Sequence, residues 1–165
     1  AKHPEVEGIR GWCKTPATVI ESREEALQFN GSKDDKYCVV SQTTFNYKKF
    51  QELVEIFQKK GYDIIAVNTI CNATAERQKE AEELAAVSDA MIVIGGKNSS
   101  NSRKLFEISK NQCENTYFIQ TLEDLDLEQI QFSSSLGITA GASTPKNIIQ
   151  EVLEACQKKE VLRNY

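Results

Sequence analysis

Short apolar segments alternate with amphipathic segments along this chain of 165 residues, and that alternation constrains its fold more than any other feature. The clearest case is AMIVIGGKNSSNS, in which the apolar run Met91 to Ile94 stops at Gly95 and Gly96 before an amphipathic segment. The same patterns predict strands over 17–21, 37–41, 64–67, 90–94, 116–119 and 136–139, and helices over 23–29, 47–60, 75–87, 102–110 and 146–158. Since strands separated by single helices pair in parallel through right-handed crossovers, the sequence predicts an α/β fold with small parallel sheets flanked by helices.

Charge and hydropathy exclude two classes of partner. The formal net charge of −4 and the pI near 5.2 leave no basic stripe that could neutralise a nucleic-acid backbone, so we expect no nucleic-acid partner. No apolar stretch approaches the roughly 20 residues that a membrane span requires, and the first residues, AKHPEVEG, lack the apolar core of a signal peptide. We therefore expect a cytoplasmic protein with no membrane contact.

The five cysteines form neither a disulfide pattern nor a zinc motif. Their number is odd and no CxxC pair occurs, which disfavours a disulfide scaffold or a zinc ribbon. Cys38 and Cys156 lie in apolar-periodic segments, so we expect both in the core. Cys71 follows the predicted strand 64–67 and precedes a polar helix start, a position where α/β folds collect their chemistry. From spacing alone, Cys71 fits either a structural thiol or a functional one.

Two junctions between a strand and a helix are candidate anion sites. At the first, Ser99, Ser100 and Asn101 head a helix whose free N–H groups and dipole attract negative charge. At the second, LGITAGASTP, an apolar run ends before Ser143 and Thr144, and a proline suited to a first helical turn follows. Two such junctions predict a ligand that carries two phosphates.

Two further polar clusters are candidates for chemistry. His3 stands two residues before Glu5, and Pro4 restricts the backbone between them, so the pair fits either a proton shuttle or a polar loop. The run SQTT at 41–44 follows a predicted strand, where its hydroxyls can bind a ligand or cap the next helix; the local sequence favours capping. Four strand ends carry Ser, Thr, Asn or Cys, and together these strand ends indicate a cavity that is lined by their side chains.

A weak break in the pattern near 68–72 predicts two units. We expect a partial α/β unit over 1–68, a second unit over 69–158 and a tail over 159–165. The first unit is expected to be incomplete, with upstream residues removed, because it opens on polar sequence without a preceding strand. The acidic run 122–129 and the residues 157–165 are expected to be solvated surface.

The motifs HPEVEG, SQTT, TICNATAERQ, GGKNSSNS and AGASTP occur in this order, and with them the chain resembles the 4-hydroxy-3-methylbut-2-enyl diphosphate reductase family over residues 3–155. The resemblance implies a fold of three similar α/β units around a central cavity, of which this chain holds the second, clipped, and the third. It also implies the last step of the non-mevalonate isoprenoid route, which removes a hydroxyl from an allylic diphosphate at an iron–sulfur cluster. The products of that step are isopentenyl and dimethylallyl diphosphate.

The resemblance carries roles to individual positions. It implies that Cys71 is one of three cysteines holding a 4Fe-4S cluster. The implied diphosphate ligands are Ser99, Ser100, Asn101 and Ser143, which agrees with the two anion junctions. Glu5 matches the family's proton donor, His3 a histidine associated with diphosphate binding and proton supply, and Thr43 a threonine near the substrate hydroxyl.

The resemblance also implies what this chain lacks. The two other cluster cysteines lie upstream of the HPE motif in the family, and one thiolate cannot retain a cluster, so we expect the chain alone to be inactive. The implied partners are the allylic diphosphate and an electron-donor protein such as ferredoxin or flavodoxin. Two alternatives stay open: a cluster-free diphosphate-binding module, and a thiol redox protein centred on Cys71, which the absence of a nearby resolving cysteine disfavours.

Overall fold

The computed structural model describes residues 3–126, 130 and 135–163, with the side chains of 159–163 excepted. The chain forms two compact units, Ala1–Asn72 and Ala73–Tyr165. Each contains a parallel sheet flanked by helices, which confirms the predicted α/β class. Among the described residues, no helix is both long and apolar enough to cross a membrane.

The first unit contains a two-stranded parallel sheet. Its elements in chain order are α1 (Pro4–Trp12), α2 (Arg23–Gln28), β1 (Lys36–Val39), α3 (Tyr47–Lys59) and β2 (Asp63–Ala66). Helix α3 makes the crossover from β1 to β2, with Cys38 opposite Ile65 in the register. The side chains of Ser22 and Asn46 accept hydrogen bonds from the first turns of α2 and α3, which fixes where these helices begin.

Aromatic packing forms the core of the first unit. Phe29 makes edge-to-face contacts with Tyr37, Phe57 and Tyr62, with ring centroids 5.3–5.6 Å apart. Helix α3 presents its apolar side chains to this cluster, as its sequence period predicts. After α3, Gly61 adopts a φ of 79°, a left-handed conformation that glycine adopts without a Cβ penalty and that turns the chain into Tyr62.

The opposite face of the small sheet carries exposed apolar side chains. Val40, Ile65 and Val67 are 38–52% exposed, and Cys38 is exposed beside them. The prediction of a core position for Cys38 is therefore wrong, because Cys38 alternates away from the packed side chains of β1. Cys156 is buried as predicted, and so is Cys113.

The described residues of the second unit form a three-stranded parallel sheet in the order β4-β3-β5. Its elements are α4 (Asn72–Ala86), β3 (Ala90–Ile94), α5 (Ser100–Gln112), β4 (Thr116–Ile119), a 3₁₀ turn (Leu122–Asp124), β5 (Leu136–Ala140) and α6 (Lys146–Arg163). The central strand β3 is buried along its whole length. A continuous apolar run of this kind is typical of a parallel strand covered on both faces.

Four local predictions differ from the structure. Residues 17–21 form no strand; Ile20 packs on the core without joining a described ladder. The HPEVEG motif lies on helix α1, where the sequence patterns predict no helix. The acidic run 122–129 is not all solvated, since Leu125 is buried and Leu122 packs on the core, while 127–129 lie outside the described residues. The tail predicted over 159–165 is helical as far as Arg163, because α6 continues through it.

Candidate functional site

In the second unit, the junction between β3 and α5 is a helix N-terminus with a polar first turn. Strand β3 ends at Ile94, and Ser99 is the N-cap residue of α5. Ser100 and Asn101 begin the helix, two residues earlier than the sequence period predicts. Ser99 and Ser100 are half-buried, so this end of the helix is open to a small ligand.

Asn101 is the most unusual residue of this first turn. Its side chain is 9% exposed, and neither its amide nitrogen nor its amide oxygen has a hydrogen-bond partner in the structure. A buried amide without partners costs about 1–3 kcal/mol, so such groups in native proteins need an explanation. A ligand with acceptor oxygens at this helix end would supply the missing partner for the amide nitrogen.

Two glycines bring this helix end close to the second junction. A Cβ added at Gly95 or at Gly141 would overlap the hydroxyl of Ser102, which is fully buried. The Gly141 N–H and the Thr144 hydroxyl both donate to the Ile94 carbonyl, at 2.9 and 3.0 Å. The start of α5 and the turn after β5 therefore form one corner, with Ser143 exposed in that turn.

Two cationic side chains near this corner, those of Lys97 and Arg103, have other partners. The Lys97 ammonium lies 3.5 Å from Asp124, and Arg103 donates through Nε to the Lys97 carbonyl at 2.6 Å. Backbone N–H groups of Gln120 and Thr121, and then Lys97, hold the pKa of Asp124 below its usual range. The polar groups of the corner itself are neutral, as expected for a cradle made of Ser and Asn.

In the first unit, hydrogen bonds join three of the predicted site residues, His3, Glu5 and Thr43. The Thr43 N–H and hydroxyl both donate to Glu5, at 2.9 and 2.6 Å, one to each carboxylate oxygen. His3 caps α1, and its Nδ1 accepts the Glu5 N–H at 3.3 Å. Because Nδ1 is an acceptor here, the ring N–H is at Nε2 and can donate to a ligand.

Cys71 belongs to the same group. Its N–H donates to the Thr43 carbonyl at 3.0 Å, and the residue is exposed just before α4 begins. None of the five cysteines, all of which lie in the described ranges, forms a disulfide. No group of three His, Cys, Asp or Glu side chains occurs among the described residues that could hold a metal ion. Since iron–sulfur clusters are held by several thiolates, the single thiolate of Cys71 does not fit a cluster by itself.

In the run SQTT at 41–44, the structure shows the hydrogen-bond partners of Thr43 and Ser41. Asn46 is the N-cap residue of the helix that follows, and its side chain accepts from the Lys49 N–H at 2.9 Å, so the expectation of capping is wrong for the Thr43 hydroxyl. The reason is that Thr43 binds Glu5 instead, across 38 positions of sequence. Ser41 pairs with Thr69, a residue that the strand and helix patterns did not single out.

Ser102 is the other residue that sequence reasoning missed. It looks like one more serine in a polar run, yet it is more deeply buried than Ser99 or Asn101. The sequence signal for its burial is a glycine after each of two strands, Gly95 after β3 and Gly141 after β5. Because glycine has no Cβ, the Ser102 side chain can lie close to both positions.

Fold and site together define a parallel α/β protein with a polar corner where two strands meet a helix N-terminus. The chain belongs to the LytB protein family, whose profile matches residues 1–157. It is 44% identical over 152 residues to the 4-hydroxy-3-methylbut-2-enyl diphosphate reductase of Caldanaerobacter subterraneus subsp. tengcongensis, a match that covers 92% of this chain and 52% of that protein. The reductase of the same name from Clostridioides difficile is 46% identical over 154 residues, 92% of this chain and 54% of that protein.

Solved structures give the same relationship. A structure of (E)-4-hydroxy-3-methyl-but-2-enyl diphosphate reductase, described as the terminal enzyme of the non-mevalonate pathway, is 40% identical with a TM-score of 0.53, covering 95% of this chain and 56% of that one. The E-1-hydroxy-2-methyl-but-2-enyl-4-diphosphate reductase of Plasmodium falciparum is 26% identical with a TM-score of 0.86, covering 93% and 49%. This chain therefore spans about half the length of the curated relatives it matches.

Proposed function

We propose that this chain takes part in the reductive dehydroxylation of 4-hydroxy-3-methylbut-2-enyl diphosphate to isopentenyl and dimethylallyl diphosphate. The observation that carries the proposal is the buried, unpartnered amide of Asn101 in the first turn of α5. The names of the relatives, which match over more than nine-tenths of this chain, support the same substrate. In this proposal, residues 1–68 and 69–158 correspond to the second and third of three α/β units.

The corner at the start of α5 binds the diphosphate. Backbone N–H groups of the first helical turn and the positive end of the helix dipole favour phosphate oxygens. Asn101, Ser99 and Ser100 add neutral donors from the helix, and Ser143 adds a hydroxyl from the turn after β5. The groups of the cradle are neutral, so they recognise the diphosphate by hydrogen bonds, while Lys97 pairs with Asp124 and Arg103 donates to the Lys97 carbonyl.

Glu5, Thr43 and His3 supply the proton for the leaving hydroxyl. The reaction consumes two electrons and two protons: one proton leaves with the hydroxyl as water, which a carboxyl group can supply, and the other forms the new C–H bond of the allyl fragment. Glu5 and Thr43 are joined by a 2.6 Å hydrogen bond, so a proton held on Glu5 can pass to the substrate directly or through the Thr43 hydroxyl. His3 orients Glu5 through the cap of α1 and offers its Nε2 proton to a phosphate oxygen.

The two electrons come from outside the described residues. Cys71 offers one thiolate to a 4Fe-4S cluster, and the other ligands that such a cluster needs are not in the described part of this chain. A ferredoxin or flavodoxin would be the electron donor, in the cytoplasm. The chain by itself therefore has no reductase activity.

Anaerobic iron–sulfide reconstitution followed by a turnover assay tests this function. The chain alone is expected to give neither the visible absorption of a cluster nor turnover of the allylic diphosphate. Supplying the part of the Clostridioides difficile reductase that this chain does not match is expected to restore both. Cys71→Ser should abolish the restored cluster, whereas the matched control Cys13→Ser, at another exposed cysteine, should retain it.

Two results would contradict the proposal. A stable cluster with turnover from the chain alone would refute the argument that one thiolate is too few. No turnover after the complementing part has been supplied and the cluster formed would refute the assigned reaction.

A cluster-free diphosphate-binding module is the second candidate. It is favoured by the fact that the α5 corner is built from the second unit alone and does not involve Cys71. This candidate predicts that pyrophosphate binds the metal-free chain with the same affinity before and after iron–sulfide treatment, and that Cys71→Ser leaves both affinities unchanged.

A further inference from the structure

Ser102 occupies the most enclosed position of the α5 corner. Its side chain is fully buried, and it lies where a Cβ on Gly95 or on Gly141 would have to go. A Cβ at Gly95 would also come within 2.5 Å of the Ser102 Cβ, so the hydroxyl is confined on both sides. The enclosure removes Ser102 from direct contact with a ligand, and the family resemblance gave it no role.

The hydrogen bonds of Ser102 are directed to Ser99. The Ser102 N–H donates to the Ser99 hydroxyl oxygen at 3.3 Å, as is usual for an N-cap. The Ser102 hydroxyl donates to the same oxygen at 3.0 Å. The Ser99 oxygen thus accepts two hydrogen bonds from one residue.

Two accepted bonds determine what Ser99 can still do. A hydroxyl has one proton to donate and two lone pairs that accept. With both lone pairs occupied by Ser102, the remaining capacity of Ser99 is to donate its own proton, and Ser99 is half-buried at the open end of the helix. Acceptor oxygens such as those of a phosphate suit this state, whereas a ligand that donates to Ser99 does not.

We infer that Ser102 is a positioning residue that fixes the hydroxyl of Ser99 as a donor toward the diphosphate, and so favours anionic ligands at the α5 corner. The inference rests on the proposed function, since it concerns the same diphosphate site. The unpartnered amide of Asn101 in the same turn is the independent sign that a ligand binds there.

Isothermal titration calorimetry of the chain with inorganic pyrophosphate tests the inference. Ser102→Ala is expected to weaken binding by about three- to tenfold, because it frees the Ser99 proton to turn away from the ligand. Ser109→Ala is the matched control: Ser109 lies on the same helix and is equally buried, and its hydroxyl takes no part in the corner. The control should bind as the unmodified chain does.

A double-mutant cycle separates positioning from a general loosening of the helix. If Ser102 acts through Ser99, then Ser102→Ala costs nothing further in a Ser99→Ala background. Ser99→Thr keeps the cap hydroxyl, so it should bind nearly normally and remain sensitive to Ser102→Ala. Far-UV circular dichroism and thermal unfolding of every variant establish that each is folded.

The outcomes distinguish the inference from the function on which it rests. Normal binding by Ser102→Ala, with weak binding by Ser99→Ala, would overturn the inference and leave the diphosphate site standing. Equal losses from Ser102→Ala in both backgrounds would also overturn it, since a merely structural role predicts that result. If the unmodified chain does not bind pyrophosphate, the proposed diphosphate site fails, and the inference fails with it.

Discussion

Replacing Gly141 by Ala should destabilise the second unit, and removing the Ser102 hydroxyl should relieve the effect. A Cβ at Gly141 overlaps only the Ser102 hydroxyl oxygen; the next atoms, Ser102 Cβ and Thr144 Oγ1, both lie at 3.4 Å, which is normal contact. Overpacking of this kind costs about 1–3 kcal/mol, or roughly 2–12 °C in Tm for a chain of this size. In a Ser102→Ala background the same substitution should cost close to nothing.

Gly95 and Gly96 provide the matched comparison. A Cβ at Gly95 meets the Ser102 Cβ as well as its hydroxyl, so Gly95→Ala should be costly in both backgrounds. Nothing lies within 4 Å of a Cβ at Gly96, and its φ is not positive, so Gly96→Ala should be neutral or stabilise by about 0.4–1 kcal/mol.

The assay is thermal and urea unfolding of the single and double variants, followed by circular dichroism. Its central quantity is the coupling free energy between Gly141→Ala and Ser102→Ala, which should lie at about 1–3 kcal/mol. Additive costs for that pair, or equal costs at Gly95 and Gly96, would refute the packing described for the corner.

Three further predictions concern single side chains. Two backbone N–H groups and an ammonium depress the pKa of Asp124, so its stabilising effect is present above the unfolded pKa and lost as the pH falls through the folded one. Asp124→Asn should therefore flatten the loss of Tm as the pH falls below the ordinary aspartate range. The Lys60 ammonium donates to three carbonyls at the end of α2, so Lys60→Met should lower the free energy of unfolding, measured in urea, by about 1–2 kcal/mol. Lys59 is exposed, so Lys59→Met should lower it by under about 0.5 kcal/mol. Ile65→Lys should reduce concentration-dependent self-association in sedimentation velocity, because Ile65 is 52% exposed on the open sheet face, and Val87→Lys should not.

The first prediction in that group fails if Asp124→Asn leaves the acid limb of the stability curve unchanged. The second fails if both lysine variants lose the same stability. The third fails if Ile65→Lys and the unmodified chain sediment alike at every concentration.

Much of the fold could be predicted from local sequence because each signal acts over a few residues. The apolar run Met91 to Ile94 predicts a buried parallel strand, and the helical period of 47–60 predicts α3 almost to its ends. The segment 17–21 shows the limit, since its apolar pattern fits a strand but strand formation needs a neighbour. Helix α1 was missed because its apolar side chains are few and none is buried.

The candidate site was predictable in residue type but not in connectivity. Serine and asparagine after a glycine pair predict an anion corner, and Ser99 is indeed the cap of α5. Local sequence could not show that Thr43 binds Glu5 rather than capping a helix, because that contact depends on how distant segments fold together. The enclosure of Ser102 likewise depends on two strand ends that are 46 positions apart, at Gly95 and Gly141.

The most direct test of the diphosphate corner is a titration of the ¹⁵N-labelled chain with inorganic pyrophosphate, followed residue by residue in amide chemical shift. We expect the largest changes on the first turn of α5, at Ser100, Asn101 and Ser102, and on the turn that contains Ser143, and we expect Asn101→Leu to abolish them. Saturable changes centred elsewhere in the chain, or none at all, would contradict a diphosphate site at the start of α5.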